Sequence, residues 1–383
     1  MKRILSATMA SLGMGLASAQ SSVTVFGVID TAASYQSATS RDPVTGQGYK
    51  QSQWSLTNSG YDASRIGFKG TEDLGGGLAA SFWLEAPLST DDGGSGLNFT
   101  RRSTVSLSGR FGEFRLGRDY NANYWNDTVF DPFGAYGSGA NVISSVNGSS
   151  TLANPNYMRS SNVVGYFLPG NLGGFYGQVQ YGLHENVDST TVSPLIPSTN
   201  SNAGRYIGAR FGYANGPLDI AASYGENTII DTSALGRTVQ SANLGASWDF
   251  GPVKLFSELS SVRNKFSGTT VASTHDSYNG YLLGATVPVG AGLIRAAYSA
   301  VRYNDGAAGV YGDNPRVDKY ALGYVYNLSK RTALYTTVAR VNNSNDAFYT
   351  GGLSSAITTG GAVSYTGIPR SSTGYDFGIR HAF

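Results

Sequence analysis

The sequence predicts an all-β fold, a transmembrane β-barrel of sixteen antiparallel strands. Three observations carry the prediction. The chain ends in an alternating segment that closes on an aromatic residue, it begins with the pattern of a secretory signal, and short turns alternate along it with long polar segments. Such alternation of apolar and polar residues, with turns of two lengths, is typical of barrels that separate lipid from a water-filled interior.

The C-terminal segment, residues 374–383, reads as a membrane strand. Side chains on a strand point alternately to its two faces, so every second residue shares one environment. One face is largely apolar and the other is polar or small: Tyr375, Phe377, Ile379, His381 and Phe383 against Asp376, Gly378, Arg380 and Ala382. By itself this segment is also compatible with an edge strand of a soluble sandwich.

The N-terminus indicates export. Met1-Lys2-Arg3 is followed by a moderately apolar run over 4–16 and by the small-residue site Ala17-Ser18-Ala19, which is the pattern of a cleaved signal peptide. We therefore expect a signal peptide over 1–19 and a single barrel domain over 20–383. The mature part has no run of eighteen uncharged apolar residues, which excludes a helical membrane protein and leaves a barrel. The chain has no Cys, so disulfides cannot staple the fold.

Composition fits a barrel and excludes partners held by bulk charge. The chain has 51 Gly, 25 Tyr and 17 Phe but only 14% charged residues. The formal net charge is +2, and removal of Lys2 and Arg3 with the signal leaves none. Binding to nucleic acid through net positive charge is therefore not expected. Selectivity must come from local placement of charges.

Turns and loops set the strand number. Seven tight turns are predicted near 74–77, 109–112, 170–174, 215–217, 250–252, 289–292 and 328–331, and eight long loops near 38–62, 89–98, 120–158, 186–203, 228–237, 265–277, 304–316 and 344–370. Seven turns and eight loops join sixteen strands whose ends meet on the side of the short, periplasmic turns, with long extracellular loops opposite.

Enzymatic and metal-binding patterns are weak. The histidines, His184, His275 and His381, lie near no nucleophile arrangement, and the sequence lacks the clustered His or Cys of a metal site. We expect no enzyme, no cofactor and a structural role for His381. Asp91-Asp92-Gly93 could hold a divalent ion, but a solvated loop explains it as well.

Four segments resemble a known family. Residues 23–30 (Val-Thr-Val-Phe-Gly-Val-Ile-Asp), 64–78 (beginning Ser-Arg-Ile-Gly-Phe-Lys-Gly), 116–118 (Leu-Gly-Arg) and 379–383 (Ile-Arg-His-Ala-Phe) are similar to the general diffusion porins of Gram-negative bacteria, particularly the β-proteobacterial type. The resemblance implies an outer-membrane homotrimer of sixteen-stranded barrels that passes small hydrophilic solutes and ions. It also implies a third long loop folded into each lumen.

The third loop, about residues 119–158, is the expected constriction. A barrel of this size encloses a channel too wide to filter by its wall alone, and a loop of this length is typically functional or disordered. Asp131-Pro132-Phe133-Gly134 resembles the tip of the porin constriction loop. The resemblance therefore implies that Asp131 and Asp127 present carboxylates to the pore. The alternative for Asp131 is a turn whose backbone amides it accepts.

The opposing wall is expected to be basic. By resemblance the pore arginines are Arg65, Arg101 and Arg159, while the doubled Arg102 leaves open which neighbour faces inward, because adjacent strand residues point to opposite faces. Other lumen candidates are Asp30, Glu85, Arg118 and Arg380. Fixed rings of charge select among ions, so an excess of arginine predicts a mild anion preference.

Two other functions are compatible with the sequence, and several partners are expected. A surface adhesin or receptor would use the long loops, but it would need no constriction and would keep the third loop outside. An outer-membrane enzyme is the weaker rival. Location implies contact with outer-membrane lipids and lipopolysaccharide, and the resemblance implies that the barrel-assembly machinery reads the terminal Phe383.

Overall fold

The computed structural model describes residues 22–42, 45–94, 96–148, 154–188, 200–232, 234–269, 274–304, 315–345 and 368–383. The predicted signal peptide and most of the predicted loop 344–370 lie outside these ranges, as do parts of the predicted loops 186–203 and 304–316.

The described chain forms one closed antiparallel barrel. With one interrupted strand as the exception, each strand pairs with its neighbours in sequence, and the first pairs with the last. The strands are β1 (Ser22–Arg41), β2 (Gly48–Asn58), β3 (Arg65–Gly75), β4 (Leu78–Pro87), β5 (Arg102–Gly109), β6 (Gly112–Tyr120), β7 (Arg159–Phe167), β8 (Phe175–Gly182), β9 (Tyr206–Asn215), β10 (Leu218–Asp231), β11 (Gly236–Asp249), β12 (Lys254–Ser267), β13 (Thr274–Val289), β14 (Gly292–Tyr303), β15 (Arg316–Asn327), β16 (Thr332–Ser344) and β17 (Ile368–Ala382).

Strands β2 and β3 are two halves of one barrel strand, so the barrel has the predicted sixteen. Residues 31–41 of β1 pair with β2, and residues 22–28 of β1 pair with β3. The break between them, residues 59–64, folds over Asp30, whose carboxylate accepts hydrogen bonds from the backbone amides of Tyr61 at 2.8 Å and Asp62 at 2.6 Å. One buried carboxylate therefore accepts hydrogen bonds from two backbone amides of the interruption.

Each predicted tight turn joins two strands, but the predicted loop over 38–62 is wrong. Strand β1 continues to Arg41 and β2 begins at Gly48, so only residues 42–47 separate the two strands. The extensions are rich in Ser, Thr and Gln, and Trp54 and Leu56 near the end of β2 are their main apolar alternation. A strand that projects beyond the lipid has water on its outer face as well, so its sequence loses the pattern on which the prediction rests. Strands β10 to β13 also extend into the predicted loops 228–237 and 265–277.

The strands alternate between lipid and lumen as predicted. On β15, Tyr320, Leu322 and Tyr324 are exposed on the outer surface, whereas Val317 and Val325 are buried on the inner one. None of the described helices is long and apolar enough to cross a membrane. The described part of the connection between β6 and β7 contains three short helices, namely α1 (Ala122–Val129), a 3-10 helix (Gly137–Gly139) and α2 (Val142–Asn147).

The barrel closes at its two termini. The amide of Phe383 donates to the carbonyl of Gly27 at 3.1 Å, and the amide of Gly27 donates back to the carbonyl of Phe383 at 3.1 Å. A Cβ on Gly27 would lie 2.4 Å from the ring of Phe383 and 2.7 Å from the carbonyl oxygen of Arg65. Only glycine leaves room here for the terminal ring.

We expect Gly27→Ala to reduce the yield of folded barrel, because the added methyl group collides with both the Phe383 ring and the backbone of the neighbouring strand. The measurement is the fraction of heat-modifiable, folded protein recovered from outer membranes. Gly48→Ala is the matched control, since a Cβ there meets its nearest neighbour only at 3.9 Å. Equal yields for the two variants would contradict the assigned role of Gly27.

Candidate functional site

The connection between β6 and β7 crosses the inside of the barrel. We call residues 121–158 the constriction loop. Its helix α1 contacts β9, β10 and β11, α2 contacts β13, β14 and β15, and the 3-10 helix contacts β15, β16 and β17. Since the loop leaves the wall at β6 and touches strands across the barrel, it spans the lumen. The expectation of a third loop folded inward is confirmed.

The loop is seated on an apolar patch of the lumen wall. Phe133, Val142, Ile143 and Val146 of the loop pack against buried wall residues of β11 to β16, which are Val239, Val262, Tyr278, Leu282, Val301, Val317, Ala321, Ala339 and Val341. The interior of this barrel is therefore not uniformly polar. Burial of these side chains is the main favourable contribution to holding the loop in place.

Glycines on the wall make room for the loop. Phe130 lies over Gly245, Ile143 over Gly280, and Pro132 over Gly284. A Cβ at Gly245 would approach the ring of Phe130 to 2.0 Å. The close approach of the loop explains why the inner face of β13 has glycine at residues 280 and 284, between and beside the larger Tyr278 and Leu282.

Polar contacts fix the register of the loop on the wall. Asn126 of α1 donates to the carbonyl of Ala221 at 3.1 Å and accepts from Nε of Arg210 at 2.7 Å. Asp376 of β17 accepts from both the amide and the hydroxyl of Ser138, at 2.8 and 2.9 Å. Hydrogen bonds that involve a charged group are the stronger ones, so Arg210 anchors α1 and Asp376 anchors the 3-10 helix on the wall.

The expectation that Asp127 and Asp131 present carboxylates to the pore is wrong. Asp127 is 1% exposed and lies between α1 and the wall, where it accepts hydrogen bonds from Tyr157 and Asn243. Asp131 is 5% exposed and accepts from the amides of Phe133 at 2.9 Å and Ala135 at 3.0 Å. The alternative for Asp131, a turn closed by its side chain, describes the structure. Burial raises the pKa of both carboxyls.

A water-accessible cavity of about 570 Å³ lies between the constriction loop and the wall formed by β1 and β3 to β8. We call it the constriction cavity. Its lining is made mainly of charged and aromatic side chains: Phe26, Asp62, Arg65, Trp83, Glu85, Arg101, Arg102, Arg115, Asp119, Tyr120, Trp125, Tyr136, Phe167 and Gln178.

Both members of the Arg101-Arg102 pair reach this cavity. Strand β5 begins at Arg102, so Arg101 precedes the regular alternation and is free to turn inward. Its Nε donates to Glu85 at 2.6 Å and its Nη2 to the hydroxyl of Tyr120 at 2.7 Å. Arg65 donates to Asp62 at 2.8 Å, and Arg159 also reaches the Tyr120 hydroxyl, at 2.7 Å. The structure thus brings four of the expected arginines to one side of the lumen.

Aromatic rings support the guanidinium groups. The Arg102 guanidinium lies 4.5 Å from the centre of the Trp83 ring, that of Arg115 3.9 Å from Phe167, and that of Arg159 4.2 Å from Tyr120. Stacking of this kind is favourable and restricts the side chain without neutralising its charge. The basic wall is therefore held rigid while it stays cationic.

The carboxylates of the cavity sit on the same wall as the arginines. Asp119 accepts from Arg115 at 2.6 Å, and Glu85 pairs with Arg101. Arg102 is 3.7 Å from Asp119, its nearest carboxylate in the described chain. Since Asp127 and Asp131 are covered and Asp119 precedes the loop, the loop itself offers the cavity no exposed carboxylate in its described part. Its exposed contribution there is Trp125 and Tyr136.

Of the remaining residues expected to face the lumen, two are open to it, one is covered and one lies on the outer face. Glu85 lines the cavity, and Arg380 faces the lumen and lies 3.3 Å from Asp62. Asp30 points inward but is fully covered by the break between β2 and β3. The expectation for Arg118 is wrong, because it shares the outer face of β6 with Phe114 and Leu116 and donates to Thr100 and Ser161 near the rim.

Sequence reasoning missed Asp62, Arg115 and Asp119. Each lies at an inward position of β6 or in the break before β3, and strand parity would have found Arg115, since Glu113 and Arg115 alternate with the exposed Phe114 and Leu116. Asp62 had no such signal, because it lies in an irregular segment. No grouping of three or more potential metal ligands occurs among the described residues.

We expect Asp127→Asn to stabilise the protein at neutral pH. A carboxyl whose pKa rises on folding destabilises the native state as pH increases above about 4, the ordinary value for Asp, and the penalty vanishes at lower pH. Glu258 of β12, itself 1% exposed, faces Asp127 and adds a second buried carboxyl. The melting temperature should rise by about 2 °C or more at pH 7.5, with a smaller gain at pH 4.

The measurement is thermal unfolding in detergent from pH 4 to pH 8. Asp188→Asn is the control, since Asp188 is exposed and its replacement should leave the curve unchanged. A melting temperature of Asp127→Asn that falls at every pH would mean that the ionised carboxylate is needed for seating the loop.

Comparison with known proteins agrees with this geometry. A family model described as Gram-negative porin matches residues 6–346. The chain is 39% identical over 388 residues to outer membrane porin protein 32 of Delftia acidovorans, with all of both chains covered. It is 30% identical over 370 residues to an outer membrane porin protein of Bordetella pertussis, covering 87% of this chain and 92% of that protein.

Solved structures match over the same extent. The anion-selective porin from Comamonas acidovorans superimposes with a TM-score of 0.76 at 37% identity, over 95% of this chain and all of that one. The trimer form of OmpT from Vibrio cholerae matches with a TM-score of 0.63 at 13% identity, over 95% and 99% of the two chains, which speaks for the fold alone. The chain belongs to the Gram-negative porin family and is a passive diffusion channel of the outer membrane.

Proposed function

We propose that this channel passes small hydrophilic solutes and ions with a mild preference for anions, and that the wall of the constriction cavity sets the preference. The proposal rests on the balance of charge at that cavity. Four arginines line it, namely Arg65, Arg101, Arg102 and Arg115, against the three carboxylates Asp62, Glu85 and Asp119. Arg159 adds a further cation at its edge through Tyr120.

The excess positive charge is concentrated at Arg102. Asp119 is 2.6 Å from Arg115 but 3.7 Å from Arg102, and Arg102 rests on the face of Trp83. An ion in transit therefore meets a guanidinium that is only partly neutralised. Because arginine stays protonated at all relevant pH values, the preference should not be lost on mild alkalinisation.

The mechanism is electrostatic and needs no binding step. A unit charge about 7 Å from an ion in water changes its energy by roughly 0.6 kcal/mol, which is about threefold in local concentration. Screening by salt weakens this effect. One arginine in excess of the carboxylates therefore supports a mild preference and not strict exclusion of cations. The porin from Comamonas acidovorans is anion-selective, and its 37% identity to this chain supports the same direction here.

A surface adhesin or receptor is not favoured. Such a barrel would keep its third loop outside, whereas here the constriction loop is packed on the lumen wall by apolar contacts and hydrogen bonds. The family and the two curated relatives above are porins, so an enzymatic activity has no support from either the site or the comparisons.

We further propose that the channel assembles as a homotrimer in contact with outer-membrane lipids and lipopolysaccharide, and that the barrel-assembly machinery reads the strand ending in Phe383. The exposed outer faces of β15 and β17, with Tyr320, Leu322, Phe377 and Ile379, suit lipid or a neighbouring subunit. The paired hydrogen bonds of Phe383 with Gly27 support a role of the last strand in closure.

We expect Arg102→Gln to lower the chloride-to-potassium permeability ratio by about twofold to threefold, because it removes the least neutralised charge of the cavity. The measurement is the reversal potential under a salt gradient in a planar bilayer. Arg118→Gln is the matched control, since Arg118 lies on the outer face. A ratio unchanged by Arg102→Gln, or lowered equally by both variants, would contradict the assignment to the cavity.

We propose that residues 1–19 are removed as a signal peptide on export. The mass of the protein purified from outer membranes should then correspond to a chain beginning at Gln20. Replacement of Ala17 and Ala19 by bulky residues should leave an unprocessed precursor, because the cleavage site requires small side chains. A mature protein that retains Met1 would refute the proposal.

A further inference from the structure

Helix α1 of the constriction loop is turned opposite to the usual arrangement of a surface helix. Its polar residues Asn123, Asn126 and Asp127 are buried against the wall, each 1% exposed or less. Its largest aromatic side chain, Trp125, is 42% exposed and lines the constriction cavity. Exposure of an indole to a water-filled passage is not needed to seat the helix, because the seat is made by the other face.

Trp125 belongs to an aromatic face on the loop side of the cavity. Tyr136 of the loop lines the same cavity, and Tyr120 at the end of β6 lies 5.5 Å from Trp125, ring centre to ring centre, at a tilt of 56°. The barrel wall carries the guanidinium groups, with Arg102 donating through Nε to Thr104 at 3.1 Å. Within the described residues, the terminal nitrogens of Arg102 have no hydrogen-bond acceptor of their own.

We propose that the constriction cavity contains a stacking subsite for aromatic carboxylates, in which the ring of the solute lies against Trp125 and its carboxylate faces Arg102. The proposal rests on the anion preference proposed above and narrows it to a class of solute. A carboxylate matches the two parallel N–H donors of a guanidinium. An aromatic ring gains from an indole face in an offset or edge-on arrangement.

The size and strength of the site suit a channel. A cavity of about 570 Å³ is within the range of roughly 300–1,000 Å³ that holds small molecules. An aromatic contact is worth about a two- to tenfold change in occupancy. A pore needs binding that is favourable enough to admit a solute and weak enough to release it, and a contact of this strength meets both conditions.

The other aromatic rings of the wall are already engaged. Trp83 is covered by Arg102 on its face and by Phe26 at 4.9 Å on its edge, and Phe167 is covered by Arg115. Trp125 is therefore the ring with the largest share of its surface available to a solute among those that line the cavity in the described chain. This singles it out as the position to change.

The test compares benzoate with cyclohexanecarboxylate, which carry the same charge and nearly the same bulk but differ in the aromatic ring. Each is added at pH 7 to channels in a planar bilayer that conduct chloride, and the reduction of chloride current is measured against concentration. We expect benzoate to block the wild-type channel at about two- to tenfold lower concentration than cyclohexanecarboxylate.

We expect Trp125→Leu to abolish the difference between the two acids and Trp125→Phe to retain most of it. Both variants should fold, since Trp125 is exposed, and the chloride conductance of each in the absence of the acids reports a functional channel. Arg102→Gln should weaken block by both acids together. A wild-type channel that does not distinguish the acids, or a difference that survives Trp125→Leu, would overturn the subsite.

The chloride-to-potassium reversal potential, recorded on the same channels, separates this proposal from the one on which it rests. If anion preference is present but the two acids behave alike, the stacking subsite alone is refuted. If the channel shows no anion preference, the proposed function fails as well.

Discussion

Closure of the barrel is the constraint on which the rest of the molecule depends. In a bilayer every backbone amide and carbonyl must find its partner within the protein, and a sheet achieves this only by pairing its first strand with its last. Here β1 and β17 form that seam, which is completed by the two hydrogen bonds between Gly27 and Phe383. Closure at sixteen strands in turn leaves an interior too wide to discriminate among small solutes, so a further element has to narrow it.

The constriction loop narrows the lumen as a packed element, and the charges that it leaves free set the chemistry of the path. The loop covers an apolar patch of the wall, where glycines allow its side chains to approach the backbone. Asp127 and Asp131 hold the loop, so they are not available to a solute. The cavity carboxylates Asp119 and Glu85 are bonded to arginines of their own wall. A cationic wall, restrained by stacking on aromatic rings, therefore faces an aromatic loop.

Local patterns in the chain were enough to predict the barrel, the strand number and the tight turns, whereas the inward loop was implied by the family resemblance. The period of two along β15 and β17 identifies strands with lipid on one side, and turn residues mark where the chain reverses. The resemblance also implied that Arg65, Arg101 and Arg159 belong to one wall, and it left open which of Arg101 and Arg102 faces inward. Prediction failed over 38–62, where the strand extensions are rich in Ser, Thr and Gln and the apolar alternation is short.

The direction in which individual charges point depends instead on contacts between distant segments. Asp127 and Arg118 look like pore residues from their neighbours in sequence, yet one is buried against β11 and the other lies on the outer face. Burial of Asp127 depends on Asn243, which is more than a hundred residues away, and no local pattern reports such a contact. The exposure of Trp125 follows from which face of α1 meets the wall, and the complementary shape and hydrogen bonds of distant strands choose that face.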